Sequence, residues 1–290
     1  MSADNPRFGI LLMSLTTFVF AAQDGISRHL AGEYNIYLVV MVRYWFFAAF
    51  VIALSARHSG GLRAATTTGF PLLQVLRGAI LAVEICVTVL AFTLLGLTET
   101  HAIFICYPLM VAALSGPVLG ERVGWRRWLA IGVGAIGVMV ILQPGSGVFT
   151  VWAIVPLLGA LLFALYGLLT RYVARRDTAQ VSFFYTGTVG CVVMTAIGAF
   201  HWEPMSGPDW LWMAALCCTG AFGHWLLIKA YEATEASTVQ PFAYLQLPFA
   251  AMFGMMFFGE TLRTNVAIGA VIVVAAGLFT FWRERKRASA

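Results

Sequence analysis

The chain has 290 residues, 60% of them hydrophobic and 11% charged, with a mean hydropathy of +0.85 and a formal net charge of +5. A water-soluble domain carries about 25% charged residues, so this chain cannot cover a soluble surface, whereas a bilayer removes that demand. The basic residues sit at the ends of apolar segments, which excludes a nucleic-acid face and points to membrane topology.

A spanning helix needs about 20 mostly apolar residues. Ten segments meet this: 8–30, 36–56, 72–95, 101–119, 126–143, 151–171, 179–200, 210–231, 237–258 and 265–282. The first follows an N-terminus without a small-residue cleavage site, so it reads as a retained helix and not a signal peptide. Turn-forming stretches separate the segments, among them Arg57-His58-Ser59-Gly60-Gly61, Gln143-Pro144-Gly145-Ser146-Gly147 and Glu203-Pro204-Met205-Ser206-Gly207-Pro208. None is long enough for a soluble catalytic domain. The five cysteines, Cys86, Cys106, Cys191, Cys217 and Cys218, lie inside apolar runs with no metal or disulfide spacing.

Lys and Arg set the orientation. Arg7, Arg57, Arg63, Arg77, Arg122, Arg126, Arg127, Arg171, Arg175, Arg176, Lys229, Arg283, Arg285, Lys286 and Arg287, 15 of the 18 basic residues, fall on the side of the termini. Arg28 and Arg263 fall on the other side, and Arg43 lies within segment 2. Both termini are therefore expected in the cytoplasm, in a multi-pass protein of a bacterial inner membrane. Trp125, Trp128, Trp152, Trp202, Trp210, Trp212 and Trp282 fall near expected interfaces, where amphipathic rings settle.

The chain also repeats itself. Tyr107-Pro108 is followed by Gly120-Glu121 and Ile131-Gly132, and Leu247-Pro248 by Gly259-Glu260 and Ile268-Gly269; proline precedes glutamate by 13 and 12 residues. Phe20-Ala21 with Ser27-Arg28 matches Phe163-Ala164 with Thr170-Arg171, and Thr98-Glu99 matches Thr234-Glu235. Two units follow, 1–145 and 146–290. Each has five crossings, an odd number, so the second must be inverted relative to the first. Inverted repeats build alternating gates around a midplane site. The expected fold is thus all-α, ten transmembrane helices in two inverted five-helix repeats.

The prolines of segments 4 and 9, the Gly-Glu that ends each, and the glycine-rich segments 5 and 10 resemble the ten-helix EamA-type members of the drug/metabolite transporter superfamily. The resemblance covers nearly the whole chain and implies metabolite transport, often amino-acid export. Among bacterial branches the aromatic-rich helices look most like the aromatic amino-acid exporters. Pro241 departs from the pattern by adding a second proline to segment 9.

Ionisable groups inside a membrane are rare and need a reason. Asp24, Arg28 and Arg43 read as a polar gate, a contact for a zwitterionic substrate, or a structural ion pair. Glu84, near the middle of segment 3, reads as a proton or ammonium site, or as a packed, protonated carboxyl. Arg77 reads as a snorkelling side chain and His101 as a solvated interfacial one. His224 is a deeper candidate. Segment 9 holds Gln240, Pro241, Tyr244, Gln246 and Pro248, and proline frees carbonyls that survive at membrane depth only beside protein or a water-filled cavity. Pro108 marks the related hinge in segment 4. Tyr107, Tyr166, Tyr185 and Trp225 read as aromatic walls or as plain packing, and Tyr244 and Gln246 as residues of the cavity. Glu121 and Glu260 are expected to satisfy the N-termini of segments 5 and 10. Those segments carry small residues that permit close packing, as scaffold and as a face for a homodimer.

No phosphate-binding glycine loop is present, and no histidine pair has metal-ligand spacing, so neither metal nor cofactor is expected. The reading is a secondary transporter exporting small metabolites, chiefly amino acids including aromatic ones, by alternating access, with a small-molecule substrate and the lipid bilayer as partners. Export of drugs or other metabolites is the alternative within this class. An integral membrane enzyme is the alternative outside it, and lacks a catalytic constellation.

Overall fold

A computed structural model describes residues 5–57, 60–120, 124–143, 151–233 and 240–288. These residues form eleven α-helices and short 3₁₀ turns, with no strand among them. The helices are α1 (Pro6–Glu33), α2 (Ile36–Arg57), the short α3 (Gly61–Thr66), α4 (Pro71–Phe104), α5 (Tyr107–Leu119), α6 (Trp125–Leu142), α7 (Ile154–Val173), α8 (Ala179–Gly198), α9 (Gly207–Ala233), α10 (Gln246–Phe258) and α11 (Thr264–Ala288). Among the described residues, six helical stretches are long and apolar enough to cross a membrane, and four shorter apolar helices cover 107–119, 128–142, 242–258 and 264–279.

The outer surface explains the composition. Leu72, Val192, Leu211, Met256 and Phe257 are each more than two-thirds exposed. A soluble monomer does not display apolar area on this scale; a membrane protein does. All seven interfacial tryptophans named above are also exposed.

The helices pair in a regular way. α1 lies along α9, α4 along α7, α2 along α8 and α6 along α11. The α6–α11 contact depends on missing side chains. A Cβ on Gly137 would press on Gly269 O and Val273, and one on Gly269 would press on Gly137 O and Ile141. Gly134, Gly137, Gly269 and Gly277, expected to offer a face to a second copy, therefore meet residues of the same chain, while Gly132 has open space where its Cβ would stand.

Two helix breaks position the interior. The first is at Gly96, whose φ of 82° and ψ of 174° interrupt α4, a backbone state in which glycine carries no Cβ penalty. The helix restarts at Leu97, four residues before the expected start of segment 4. The second break lies at Ile105–Cys106. Pro108 has no N–H to donate one turn back to Phe104, so α4 ends there and α5 begins at Tyr107. Segment 9 is built alike: residues 240–245, including Pro241, form a 3₁₀ turn, and α10 begins at Gln246, two residues before Pro248. Both prolines thus stand in the first turn of a restarted helix.

Gly96→Ala is expected to cost about 1–3 kcal/mol from its backbone alone, and more because the new Cβ would collide with the Glu260 carboxylate. Gly61→Ala has a φ of the same sign and nothing near its Cβ, so it carries the backbone share only. Thermal unfolding in detergent should give the larger Tm drop to Gly96→Ala; equal drops would contradict the collision.

Candidate functional site

The break at Gly96 exposes the first N–H groups of a new helix, and orphan donors at a helix start attract an anion. Glu260 answers them. Its Oε1 accepts from Leu97 N at 2.8 Å and its Oε2 from Thr98 N at 2.9 Å. Arg28, on α1, donates to the same carboxylate and stacks 4.1 Å over the Phe258 ring. Arg263 donates to Glu99 Oε1 at 2.7 Å nearby. Glu260 is therefore not spent on the helix that follows it, as its position had suggested; it caps a helix from the other half of the chain. Glu121 lies outside the described residues.

Toward the other end of α4, where Gln74 and Arg77 stand about 30–36 Å along the helix from Leu97 and Thr98, a second network ties the halves together. Asp177 accepts from the Thr68 hydroxyl, from Gly69 N at 2.7 Å and from Gln74 Nε2 at 2.8 Å. Arg77 is 1% exposed and donates to Gln74 Oε1 at 3.1 Å, to Thr170 Oγ1 at 3.2 Å and to Ser182 O. It does not snorkel, because α7 and α8 supply acceptors within reach. Burial opposes ionisation of Asp177, but Thr68, Gln74, the Gly69 N–H and the charge of Arg77 outweigh it and hold the carboxyl below its ordinary range.

Between these ends lies a polar centre. Asp24 Oδ2 stands 3.2 Å from His101 Nε2 and accepts from Gln246 Nε2 at 3.1 Å. Gln23 Nε2 approaches Asp24 Oδ1 at 3.5 Å, and Gln23 Oε1 is buried without a partner. His101 is 4% exposed, not solvated, because the helix starts at Leu97 and carries it one turn inward. Arg43, Tyr44, Phe47, Gly220 and His224 line an adjoining cavity of about 10 Å³, room for about one water. The His224 ring is stacked on Phe47 at 5.5 Å and meets Phe20 edge-on at 5.3 Å.

The three charges read together in the sequence thus separate. Arg28 pairs with Glu260, Asp24 turns to His101 and Gln246, and Arg43 faces the cavity. Glu84 is buried beside the centre and accepts from Thr88 Oγ1 at 2.7 Å. Tyr107 packs edge-on against Phe163 at 4.9 Å, and Tyr166 lies under Arg77 at 5.1 Å. Tyr185 donates to Thr66 O at 3.0 Å, and two further expected cavity residues lie elsewhere. Trp225 is 41% exposed and stacks on Phe222, since one residue past His224 turns it about 100° away. Tyr244 is buried against Gly277 in the core under α11. Gln23, Tyr44, Gln74, Gly96 and Asp177 are contributors that the sequence reading passed over. Among the described residues no three His, Cys, Asp or Glu side chains gather as metal ligands.

Apolar helices facing lipid around a buried polar centre, with ionic ties at both ends, define a polytopic membrane protein built to enclose a solute. The EamA-like transporter family model matches residues 7–143 and 150–282, and the chain belongs to that family. It is 26% identical to an S-adenosylmethionine uptake transporter of Rickettsia prowazekii (strain Madrid E), over 97% of this chain and 95% of that one. It is 26% identical to a riboflavin transporter of Vibrio cholerae serotype O1, over 97% and 96%. It is 24% identical to the pseudopaline exporter CntI of Pseudomonas aeruginosa (strain UCBPP-PA14), over 95% and 96%. A solved crystal structure shares the fold with a TM-score of 0.64, at 16% identity over 97% of this chain and 96% of that one. The protein is a membrane transporter of small metabolites and not an enzyme.

A depressed Asp177 carboxyl contributes stability above the unfolded value of about 4 and loses it as pH falls through the lower folded value. The wild-type Tm in detergent should therefore hold above about pH 5 and fall below about pH 4. Asp177→Asn should start lower by about 1–3 kcal/mol, the penalty for unpaired donors, and show a flatter acid limb. An unchanged acid limb would contradict this assignment.

Proposed function

We propose that the protein is a secondary transporter of ten crossings in two inverted five-helix halves, with both termini cytoplasmic, that exports amino acids, aromatic ones included, by alternating access around the Asp24–Arg43 centre. The observation that carries this reading is the pair of ties between the halves. Arg28, Leu97 and Thr98 from the first half meet Glu260 from the second at one end. Gln74 and Arg77 from the first meet Asp177, Thr170 and Ser182 from the second at the other. A cavity with room for about one water admits a metabolite only when one of these ends parts.

Three further observations support it. The family model matches the chain twice, once per half. The helix pairing maps onto itself under exchange of the halves: α1 with α9 becomes α7 with α4, while α2–α8 and α6–α11 map onto themselves. The charge count favours the side of the termini, which with Arg28 and Arg263 opposite assigns the Glu260 end to the periplasm. The centre suits a zwitterion, since Asp24 can take an ammonium and Arg43 a carboxylate. The relatives are named for uptake and for export, and one gradient-driven device accommodates both directions. The choice of export and of amino acids rests on the resemblance of the helices to the aromatic amino-acid exporters.

Proteoliposomes preloaded with unlabelled solute should accumulate labelled solute transiently, without ATP, for at least one member of a panel of amino acids, S-adenosylmethionine and riboflavin. Overproduction in cells should lower internal aromatic amino-acid pools and raise resistance to their toxic analogues. Raised pools with transport intact would reverse the direction; movement of only the other solutes would replace the substrate class; no movement of any would overturn the transporter reading.

A further inference from the structure

Arg43 is an arginine in the wrong place for a structural residue. It sits in the second turn of α2, is 8% exposed, and lines the cavity. Among the described residues its guanidinium makes no hydrogen bond and no ion pair. A buried charge left without a partner carries a penalty that proteins otherwise remove by pairing or substitution. The nearby carboxylates are engaged elsewhere: Asp24 with His101 and Gln246, Glu84 with Thr88, Glu260 with Arg28. Tyr44, lining the same cavity, buries a hydroxyl that also has no partner. Two unpartnered donors therefore border one small space, and the single unpartnered acceptor beside them, Gln23 Oε1, is a neutral amide oxygen that leaves the charge of Arg43 unmatched.

The opposite wall leaves them room. Gly220 on α9 faces the guanidinium, and a Cβ there would stand 3.3 Å from Arg43 Nε and 3.2 Å from Gln23 Oε1. The bare backbone keeps the approach to the cation clear. Beside it, Phe47 and His224 form a stacked apolar shelf. A cation with a fork of donors, next to a flat apolar surface, matches a carboxylate attached to a planar or bulky apolar group.

Resting on the transporter reading, we propose that Arg43 is the carboxylate anchor of the transported metabolite, with the Tyr44 hydroxyl as a second donor, Gly220 as the clearance that admits the anion, and the Phe47–His224 stack as the seat of the apolar portion. The substrate class is then an organic acid of amino-acid type, and neutral ring compounds are excluded from tight binding.

Purified protein should be warmed with a panel of free L-amino acids, the matching amides, the matching decarboxylated amines and riboflavin as a neutral ring, and the same panel should be run in counterflow. Free acids should raise the Tm, and amides, amines and riboflavin should not. Arg43→Gln should lose the response to acids by at least tenfold in half-saturating concentration, and Arg43→Lys should recover part of it, since an ammonium keeps the charge but not the fork. Gly220→Ala, which adds a methyl against the guanidinium and keeps its charge, should weaken acids alone. Equal responses to acids and amides, an Arg43→Gln variant that folds and keeps the acid response, or a panel in which no acid binds would each overturn the proposal. Counterflow of neutral solutes under those outcomes leaves the transporter reading standing, whereas failure of every solute to move removes both.

Discussion

Everything at one end of this molecule depends on a helix that is broken and then capped from outside its own half. Gly96 takes a left-handed φ that ends one run of α4. The freed N–H groups of Leu97 and Thr98 would be costly to leave unmet in an apolar surrounding. Glu260 meets both with one carboxylate, and Arg28 neutralises that carboxylate. Gly254 and Gly96 have no side chain because a Cβ on either would occupy the space of the Glu260 oxygens. The interaction is local in chemistry and global in connection, since it joins α1, α4 and the turn after α10. On the proposed alternating access, water would satisfy the same donors when the cap opens, so that no orphan is left buried.

The opposite end uses a different chemistry for the same purpose. Asp177 gathers three donors from the turn before α4 and from its first helical turn, and Arg77 spreads its guanidinium over α4, α7 and α8. With both ends tied, the cavity beside the polar centre has room for about one water. Several buried polar groups stand beside partners: Asp24 beside His101 and Gln246, Glu84 with Thr88. Arg43, the Tyr44 hydroxyl and the Oε1 of Gln23 are among the groups left over, and these three lie beside Gly220 and its cavity.

Much of this was legible in the sequence, for identifiable reasons. Hydropathy and turn residues gave helix limits close to the observed ones, because a lipid-facing helix has to be apolar along its whole length. Pro108 and Pro248 stand where helices restart, within segments read from the sequence as continuous, because proline removes a donor wherever it stands. What sequence spacing could not give was which carboxylate meets which cation. Arg28 follows Asp24 by one turn, yet pairs with a residue 232 positions away. A single glycine shifted the start of a helix by four residues and moved His101 from interface to interior. Arg77 looked like an interfacial cation because its acceptors, Thr170 and Ser182, come from a distant part of the chain. Trp225 and Tyr244 showed that an aromatic residue on an apolar helix carries no mark of which side it faces.

The central claim is that the Glu260 cap is a reversible tie between two halves that move. It is tested most directly by the distance across that tie. Spin labels at Gly32→Cys, near the end of α1, and Leu262→Cys, beyond the cap, would report it in lipid, with the five native cysteines replaced. The account predicts two distances in exchange, with Glu260→Gln and a transported solute each changing their weights. One distance, unaltered by the substitution and by solute in protein that still transports, would contradict it.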